Sequence, residues 1–318
     1  MNKEGRTVSI LIPAYNEQDS IQELYEQVIN GINELKKRNQ VSDYEIWFIN
    51  DGSTDNTEAS VMNVIKNDDR VHLISFRKNF GKSPALQAGF RHVNGDLIFT
   101  LDADLQDDPA EFPRFVEKID EGFDMVVGWK FNRLDPLEKK LPSKLFNFVT
   151  SVNSGVKLHD FDCGFKCFTN EVAKAIDLYG ELHRYVPVLA HRKGFKITEI
   201  TVNHRSREHG HSKYGIERYM RGLLDSLTTT FLLKYSDRPM YFFGRLGLFT
   251  TVLGIIICAY LTVIWFMGQS IGGRPLLVLG VLLILVGIQF ISTGFVCNIL
   301  VDRSFKMSYD ESHIKRIV

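Results

Sequence analysis

Apolar and polar residues alternate along the first 130 positions in blocks that predict strands and helices in turn. Continuous apolar runs predict five buried strands, over residues 8–15, 45–51, 71–76, 96–104 and 124–130. Apolar residues at helical spacing predict four intervening helices, over residues 18–38, 54–67, 83–93 and 109–121. Because strands separated by helices pair in parallel and are covered on both faces, the pattern predicts an α/β fold with a mostly parallel sheet.

The pattern becomes less regular after residue 130. It predicts helices over residues 137–153, 170–178 and 183–193 and a strand over residues 197–204. Residues 214–237 predict an amphipathic helix, because apolar residues recur there at helical spacing. Two interpretations of this helix stay open: it lies in a membrane interface, or it packs on a soluble domain that comprises residues 1–213.

Two long segments near the C-terminus contain no charged residue, residues 246–267 and 276–301. A helix needs about 20 apolar residues to cross a bilayer. The segments therefore predict a hairpin of two transmembrane helices, about 243–267 and 276–300, within residues 238–302. The alternative is a pair of buried core helices. We expect Gln289 and Asn298 to face the partner helix or another interface.

Basic residues flank this hairpin on its outer sides. Only Arg274 lies in the link between the helices, whereas the flanks and the tail, residues 303–318, contain Arg238, Arg245, Arg303, Lys306, Lys315 and Arg316. The positive-inside bias places both flanks in the cytoplasm, and with them the N-terminal domain and the tail. The sequence therefore predicts a multi-pass protein of the inner or plasma membrane.

Composition narrows the class of protein. Lys and Arg together number 38, as do Asp and Glu, so the near-zero net charge argues against a nucleic-acid partner. The polar start MNKEGRTVS predicts no secretory signal. The four cysteines fit neither a disulfide framework nor a zinc site, which favours a reducing compartment.

The stretch FTLDADLQDDP places four carboxylates at the end of the fourth predicted strand. Asp102 and Asp104 are two residues apart, so their side chains point the same way and would repel each other. A divalent cation such as Mg²⁺ or Mn²⁺ removes that conflict. The alternative is a surface turn with solvated acids. Asp107 and Asp108 precede Pro109 and are interpreted as acids that cap the next helix.

Other polar residues also follow predicted strands, where ligands bind in parallel sheets. Pro13, Tyr15 and Glu17 follow the first strand and Asp51 ends the second, while Lys82 lies in RKNFGKSPAL, where it would meet phosphate or stabilise the loop. The chain contains no G-x-x-x-x-G-K-[ST], and no G-x-G-x-x-G follows the first strand. The sequence therefore gives little support to a P-loop phosphotransferase or a dinucleotide dehydrogenase.

Five motifs in order resemble one known family. IPAYNE, NDGSTDNT, RKNFGKSPALQAGF, GDLIFTLDADLQDDP and HGHSKYG are similar to the motifs of family 2 glycosyltransferases, whose fold is the Rossmann-like GT-A fold. The sequence most resembles the polyprenyl-phosphate glycosyltransferases, which include dolichol-phosphate mannose synthases and bactoprenol glucosyltransferases. The resemblance covers residues 7 to about 235, and the two following spans suit the bactoprenol branch.

The resemblance implies roles for individual residues. The nucleotide would be bound by Pro13, Tyr15, Glu17, Asp51, Lys82 and Asp102. Asp102 and Asp104 would bind Mg²⁺ or Mn²⁺ with the donor diphosphate, and Gln106 would complete the metal shell.

A second group of residues would act near the acceptor. Asp160 and Asp162 lie in HDFDCGFK, where related enzymes place an acid, and the register of the family's D-x-x-S-G-F-R favours Asp160 without excluding Asp162. Arg207, Ser212 and Lys213 would hold the acceptor phosphate. The predicted catalytic residues are therefore Asp104, Asp160, Asp162, Arg207 and Lys213. His209 and His211 of the same loop are interpreted as bystanders.

These implications predict an inverting transfer of a hexose from a nucleotide sugar to undecaprenyl phosphate, for glycosylation of the cell envelope. UDP-glucose is the predicted donor, and UDP-GlcNAc, UDP-galactose and GDP-mannose stay open. A dolichol-phosphate-mannose-type synthase, a processive synthase, a nucleotidyltransferase and a non-catalytic scaffold are alternatives. Two spans leave much lipid-facing surface, which is compatible with a homo-oligomer.

Overall fold

The computed structural model describes residues 5–131, 154–203, 239–304 and 314–317, with isolated positions 147, 150, 151, 205 and 235. The chain forms two compact units. The first comprises residues 1–226 and 308–318, and the second comprises residues 227–307.

The first unit is built on one eight-stranded sheet in the order β7-β5-β6-β4-β1-β2-β3-β8. Its strands are β1 (Thr7–Ala14), β2 (Asp43–Asn50), β3 (Val71–Phe76), β4 (Leu97–Thr100), β5 (Met125–Lys130), β6 (Lys166–Thr169), β7 (Ile197–Val202) and β8 (Ile314–Ile317). The pairs β1–β2, β1–β4, β2–β3 and β5–β7 are parallel. The predicted α/β fold with a mostly parallel sheet is therefore confirmed.

The helices of this unit follow the strands, as the apolar spacing predicts. They are α1 (Ile21–Lys37), α2 (Thr57–Ile65), α3 (Lys82–His92), α4 (Phe112–Asp120), α5 (Asn170–Ala175) and α6 (Val186–Arg192). Helix α1 illustrates this agreement between apolar spacing and structure. Its apolar residues recur on one face and are fully buried: Ile21, Leu24, Val28, Ile32 and Leu35. Burying this stripe holds the helix on the sheet.

Two strands of the sheet were not predicted from the sequence, and both are antiparallel to the strands they pair with. Strand β6 lies between β4 and β5 and is only four residues long, too short for a periodic signal. Strand β8 pairs with β3 at the sheet edge and has the sequence IKRI. Its two basic residues interrupt the apolar run from which a buried strand is predicted. Residues 303–318, predicted as a tail, thus include a strand of the sheet.

An aromatic cluster fills one face of the sheet beneath the end of β4. Phe99 packs against Phe112 and Phe115 of α4, and Phe165 contacts all three, with ring centroids 4.3–6.3 Å apart. All four rings are fully buried, and such rings dominate core energetics. The cluster fixes the segment before β6 against the end of β4.

The second unit contains the helices α7 (Met240–Phe266) and α8 (Pro275–Ser304). Both are long and apolar enough to cross a membrane. Only 22% of the most apolar part of α7 and 11% of that of α8 is buried. Core helices would be mostly covered, so this exposure contradicts the alternative of a buried pair.

Glycines bring α7 and α8 together in an antiparallel hairpin. Gly247 lies against the backbone of Gly287, and Gly254 lies against that of Gly280, so that a Cβ on either α7 glycine would be 2.6 Å from a carbonyl oxygen. The glycines repeat every seven residues in each helix, which keeps them on one face. Small residues allow this close backbone approach in membrane helices.

The two amides of α8 are not covered by α7. Gln289 and Asn298 are both exposed on the hairpin. The expectation that Gln289 faces the partner helix is therefore wrong, because it lies about 200° around α8 from Gly287, which contacts α7. The other expected location, a different interface, stays a prediction.

Gly254→Ala should weaken the hairpin. The added methyl would lie 2.6 Å from Gly280 O and 2.8 Å from the Cγ1 atom of Ile284, and overpacking of this kind costs about 1–3 kcal/mol. Thermal unfolding of the purified protein in detergent should show a lower melting temperature for the hairpin. Gly273→Ala in the link, where no heavy atom lies within 4 Å, is the control and should leave that temperature unchanged. Equal behaviour of the two variants would contradict close glycine packing.

Candidate active site

A cavity lies beyond the carboxyl ends of β1 and β4. Its empty space, counted together with the adjoining open solvent, is about 350 Å³, and its lining includes Pro13, Lys82, Asp102, Asp162, Lys166 and His183. The parallel strands β1 and β4 bring Pro13 and Asp102 to the same edge, while α3 supplies Lys82. Four of the predicted site residues, Pro13, Lys82, Asp102 and Asp162, therefore line one cavity.

Asp102 is the central charge of this cavity. Its carboxylate pairs with the ammonium of Lys82, and both side chains are about one third exposed (31% and 30%). Burial favours the neutral acid, but the charges of Lys82, Lys130 and Lys166 outweigh it and hold the pKa of Asp102 well below its usual range. Burial alone would lower the pKa of Lys82. The charge of Asp102 outweighs this effect, so the pKa of Lys82 is raised above its usual value. Both groups are ionised at neutral pH.

The loop that follows β4 is held in an unusual conformation. Leu105 has a φ of 62°, in the left-handed region that branched side chains rarely adopt. The Gln106 N–H donates to Asp104 Oδ1 at 3.3 Å. Gln106 O accepts from the Arg205 N–H at 3.1 Å, and the Arg205 guanidinium pairs with Asp108 at 2.8 Å. Contacts on both sides of Leu105 therefore fix the loop that carries the predicted metal ligands.

The donor set of this loop fits a hard divalent cation only in part. Asp102 is ionised and one third exposed, and Asp104 and Gln106 add oxygen atoms on the same short loop. Among the described residues, no cluster of three or more His, Cys, Asp or Glu side chains could hold a metal. A divalent cation held here would therefore need water and phosphate oxygens to complete its ligands, as Mg²⁺ and Mn²⁺ commonly do.

Asp107 and Asp108 have different surroundings. Asp108 accepts from the Ala110 N–H at 3.1 Å and caps the short helical turn at Pro109, as expected. Asp107 is 1% exposed and pairs with Lys130 of β5 at 3.0 Å. Its other oxygen accepts from the Asp102 N–H at 3.5 Å. The interpretation of Asp107 as a capping acid is therefore wrong, because it turns into the protein and holds the backbone of Asp102.

The two acids before β6 are also separated. Asp160 is 1% exposed and accepts from the Asp162 N–H at 3.2 Å. The Asp162 side chain is 44% exposed, lines the cavity and lies 3.6 Å from the Nε of Arg184. The geometry thus brings Asp162 to the cavity and places Asp160 behind it.

Comparison with known proteins assigns the family. Residues 9–177 match the family described as glycosyl transferase family 2. The chain is 36% identical over 315 residues to the dodecaprenyl-phosphate galacturonate synthase of Rhizobium johnstonii, an alignment that covers 97% of this chain and 92% of the relative. The chain belongs to glycosyl transferase family 2. The predicted resemblance is confirmed, and this family 2 member is a glycosyltransferase.

Two further similarities agree with this assignment. The chain is 33% identical to the undecaprenyl-phosphate 4-deoxy-4-formamido-L-arabinose transferase of Yersinia pestis, over 92% of this chain and 88% of the relative. Glucosyl-3-phosphoglycerate synthase of Mycobacterium tuberculosis, solved with Mn²⁺, UDP and phosphoglyceric acid, has a TM-score of 0.54 at 19% identity, over 71% of this chain and 78% of that one. The last similarity shows the fold alone.

The remaining predicted nucleotide residues of this glycosyltransferase lie near β1 and β2. The Asp51 carboxylate is 5% exposed and accepts from the N–H groups of Phe80 and Gly81 at 2.8 and 2.9 Å. Burial raises its pKa, and these two hydrogen bonds oppose the shift. Tyr15 is 44% exposed, and the Glu17 N–H donates to Thr57 Oγ1 at 2.9 Å. Their roles toward a nucleotide stay predictions.

Three residues of the site gave no signal in the sequence. Lys130 and Lys166 lie at the end of one strand and the start of another, next to apolar residues, and His183 lies in an ordinary helical segment. Lys166 donates to Cys163 O, and burial lowers its pKa. Burial, with the charge of Lys82, lowers the pKa of His183 to about 3, so this imidazole is neutral at physiological pH.

The structure does not describe the residues predicted to hold the acceptor phosphate. Arg207, Ser212 and Lys213, with His209 and His211, lie outside the described residues, as does the predicted helix over 214–237 apart from position 235. Their proposed roles therefore rest on the resemblance.

Gly164→Ala should displace the Asp102 carboxylate. A Cβ on Gly164 would lie 2.5 Å from Asp102 Oδ2 and 2.8 Å from Oδ1. Since a shift of about 1 Å in a reacting group can cost about 100-fold, we expect a loss of that order in sugar transfer and weaker binding of Mn²⁺. Electron paramagnetic resonance of Mn²⁺ measures the binding. Gly128→Ala, whose methyl would meet the Sγ of Cys163 at 3.1 Å, is the matched control, and equal effects would contradict the prediction.

Asp107→Asn should destabilise the enzyme and lower its activity. The change leaves the buried ammonium of Lys130 without its carboxylate, and breaking a buried ion pair typically costs about 3–5 kcal/mol. Asp108→Asn is the neighbouring control and should cost less than about 1 kcal/mol, because Asn caps a helix as well as Asp. Chemical unfolding and transfer assays measure both effects. A fully stable and active Asp107→Asn would show that the ion pair does not fix the loop.

Proposed function

We propose that this glycosyltransferase transfers a sugar from a nucleotide sugar to a polyprenyl phosphate at the cytoplasmic face of the inner or plasma membrane. The observation that carries the proposal is the near full-length match to relatives whose names specify dodecaprenyl and undecaprenyl phosphate as acceptors. That match extends over the cavity around Asp102 and over both apolar helices. A family 2 domain alone would not suggest a lipid acceptor.

The chemistry requires little acid–base catalysis. A phosphomonoester has a second pKa of about 6, so the acceptor phosphate is already an anionic nucleophile at neutral pH. One of its oxygens attacks the anomeric carbon, the bond from that carbon to the donor diphosphate breaks, and the nucleoside diphosphate leaves. In-line attack inverts the anomeric configuration, giving a β-linked product from an α-linked donor.

The enzyme must therefore bring two anionic groups together. Asp102, Asp104 and Gln106 would hold Mg²⁺ or Mn²⁺, which neutralises the leaving diphosphate when bound. The ammonium of Lys82 lies against Asp102 and adds a second cation at the same place. Arg207, Ser212 and Lys213 would hold the acceptor phosphate. Pro13, Tyr15, Glu17 and Asp51 would bind the nucleoside.

Asp162 is the better candidate for the acid near the acceptor. Its side chain lines the cavity beside Lys82, whereas Asp160 is buried and accepts the Asp162 N–H. Asp160 would then position Asp162, and Asp162 with Arg184 would orient the incoming group. This assignment reverses the preference that motif register alone suggests.

The pairing of β8 supports the proposed membrane topology. Strands β1 to β7 precede the apolar hairpin in sequence and β8 follows it, yet β8 pairs with β3 in the same sheet. A sheet lies on one side of a membrane, so the chain would cross an even number of times. Together with the basic flanks, this supports two spans with both termini in the cytoplasm.

The donor sugar is the finer part of the proposal. UDP-glucose is the first donor to test, and UDP-galactose, UDP-GlcNAc and GDP-mannose follow. The names of the relatives add nucleotide-linked galacturonate and 4-deoxy-4-formamido-L-arabinose to this panel. Sugar choice depends on hydroxyl and substituent contacts, where one buried polar group changes selectivity strongly.

Purified full-length protein with undecaprenyl phosphate, Mg²⁺ or Mn²⁺ and each donor should give a lipid-linked sugar that mass spectrometry identifies. Asp104→Asn should reduce transfer by about 100-fold or more, since it weakens electrostatic stabilisation of the leaving group. Thr293→Ser in α8, remote in sequence from the site, is a control and should retain activity.

Two results would contradict the proposal. Transfer from none of the donors would exclude a polyprenyl-phosphate sugar transferase and favour a non-catalytic scaffold. Undiminished transfer by Asp104→Asn at saturating metal would remove the metal role while leaving the enzyme class intact.

A further inference from the structure

His183 is a residue of the cavity to which the proposed chemistry assigns no role. It lies in the short helical turn Leu182–Tyr185, just before α6, and lines the cavity together with Lys82, Asp102 and Asp162. Asp102 marks the place proposed for the donor diphosphate. The sugar attached to that diphosphate would then occupy the cavity that His183 lines.

Ser83, in the first turn of α3, holds the His183 ring from one side. The backbone N–H of His183 donates to Ser83 Oγ at 3.0 Å, and Ser83 Oγ lies 3.1 Å from the Nδ1 atom of His183. Ser83 is fully buried, and its hydroxyl makes no other hydrogen bond with the described residues. A buried hydroxyl hydrogen requires an acceptor, and Nδ1 is the acceptor within reach.

This contact determines which nitrogen of the imidazole carries the proton. Because Nδ1 accepts the hydroxyl hydrogen of Ser83, the proton of the neutral ring is on Nε2. Burial and the charge of Lys82 lower the pKa of His183 to about 3, so the ring stays neutral at physiological pH. Nε2 makes no hydrogen bond with any residue in the described part of the chain. His183 therefore offers the cavity a neutral N–H donor whose direction Ser83 fixes.

The other polar groups of the cavity indicate which ligand atom suits this donor. Phosphate oxygens are negatively charged, and the ammonium groups of Lys82 and Lys166 on the same cavity suit them better than a neutral imidazole does. A neutral N–H matches a neutral oxygen such as a hydroxyl. The Asp162 carboxylate, which also lines the cavity, can only accept hydrogen bonds and so suits a ligand that carries hydroxyl hydrogens.

We propose that His183 is a specificity residue for the transferred sugar, with its Nε2–H donating to one hydroxyl oxygen of that sugar. This inference rests on the proposed function, since it requires a nucleotide sugar in the cavity. A sugar without an oxygen at that place would leave the N–H unpaired in a partly enclosed site, which is unfavourable. His183 would therefore distinguish between donor sugars that carry the same nucleotide.

The test compares binding of UDP-glucose with binding of UDP, which lacks the sugar. Isothermal titration calorimetry of the full-length protein in detergent with Mn²⁺, without a lipid acceptor, gives both dissociation constants. If another donor of the panel gives product, that donor and its nucleoside diphosphate take their place.

His183→Ala should raise the dissociation constant for UDP-glucose about tenfold, the equivalent of one lost hydrogen bond, and leave that for UDP unchanged. The constant for UDP also reports whether the variant is folded. His183→Gln should recover most of the affinity, because its amide N–H can replace Nε2–H. His191→Ala is the matched control, since His191 is an exposed histidine of α6, and it should change neither constant.

Donor analogues that each lack one sugar hydroxyl identify the contacted oxygen. The analogue without that hydroxyl should bind the wild-type protein about tenfold more weakly than the parent sugar does. The same analogue should bind His183→Ala as tightly as the parent sugar binds this variant, because the interaction is already lost. Ser83→Ala, which removes the contact to Nδ1, should weaken binding of UDP-glucose and spare UDP.

Three outcomes would overturn the inference. They are unchanged binding of UDP-glucose by His183→Ala, an equal loss of affinity for UDP-glucose and UDP, and analogue losses that are the same in both proteins. The wild-type enzyme separates these results from a failure of the proposed function. Transfer from no donor would contradict the function, whereas normal transfer together with any of the three outcomes would contradict only the role of His183.

Discussion

The site depends on keeping one carboxylate charged where the protein partly buries it. Asp102 follows β4 and lines the cavity, where partial burial favours the neutral acid. Lys82 at the start of α3 reverses that preference, with help from Lys130 and Lys166. The parallel pairing of β1 with β4 brings the first and fourth strand ends to one edge, and the cavity follows from that pairing. The fold thus supplies both the cavity and the cations that keep its acid ionised.

Apolar spacing predicted the parallel part of the fold because each strand there is a continuous buried run next to a helix with one buried face. Strands β1 to β3 and β5 and helices α1 to α4 begin and end near their predicted positions, whereas β4 ends at Thr100, four residues before its predicted end, so that Asp102 and Asp104 lie in the loop that follows it. Strands β6 and β8 were missed for a physical reason. Each is only four residues long, and each is stabilised by pairing with a neighbour that is distant in sequence. Local pattern contains no information about such partners.

The same limit applies to the candidate site. Asp102 and Asp104 could be found from sequence because both carboxylates belong to one short motif at a strand end. The sequence could not identify Lys130, Lys166 and His183 as site residues. A lysine or histidine in an ordinary sequence context becomes part of a site only when the fold brings it beside an acid. Asp107 was misread for this reason: its partner is 23 residues away, on β5. Motif register favours Asp160, and Asp162 became the better candidate only because the fold buries Asp160 and leaves Asp162 exposed.

The pairing of β8 with β3 also constrains the order in which the protein can be completed. Strand β8 follows both apolar helices in the sequence, so both helices are synthesised before it. The edge of β3 therefore stays open, with unpaired backbone groups, throughout synthesis of the membrane hairpin. Only when β8 has left the ribosome and pairs with β3 does the sheet gain its eighth strand. The sheet of the first unit can therefore be completed only after the apolar hairpin has been synthesised. Folding of the first unit is thus coupled to synthesis of the hairpin.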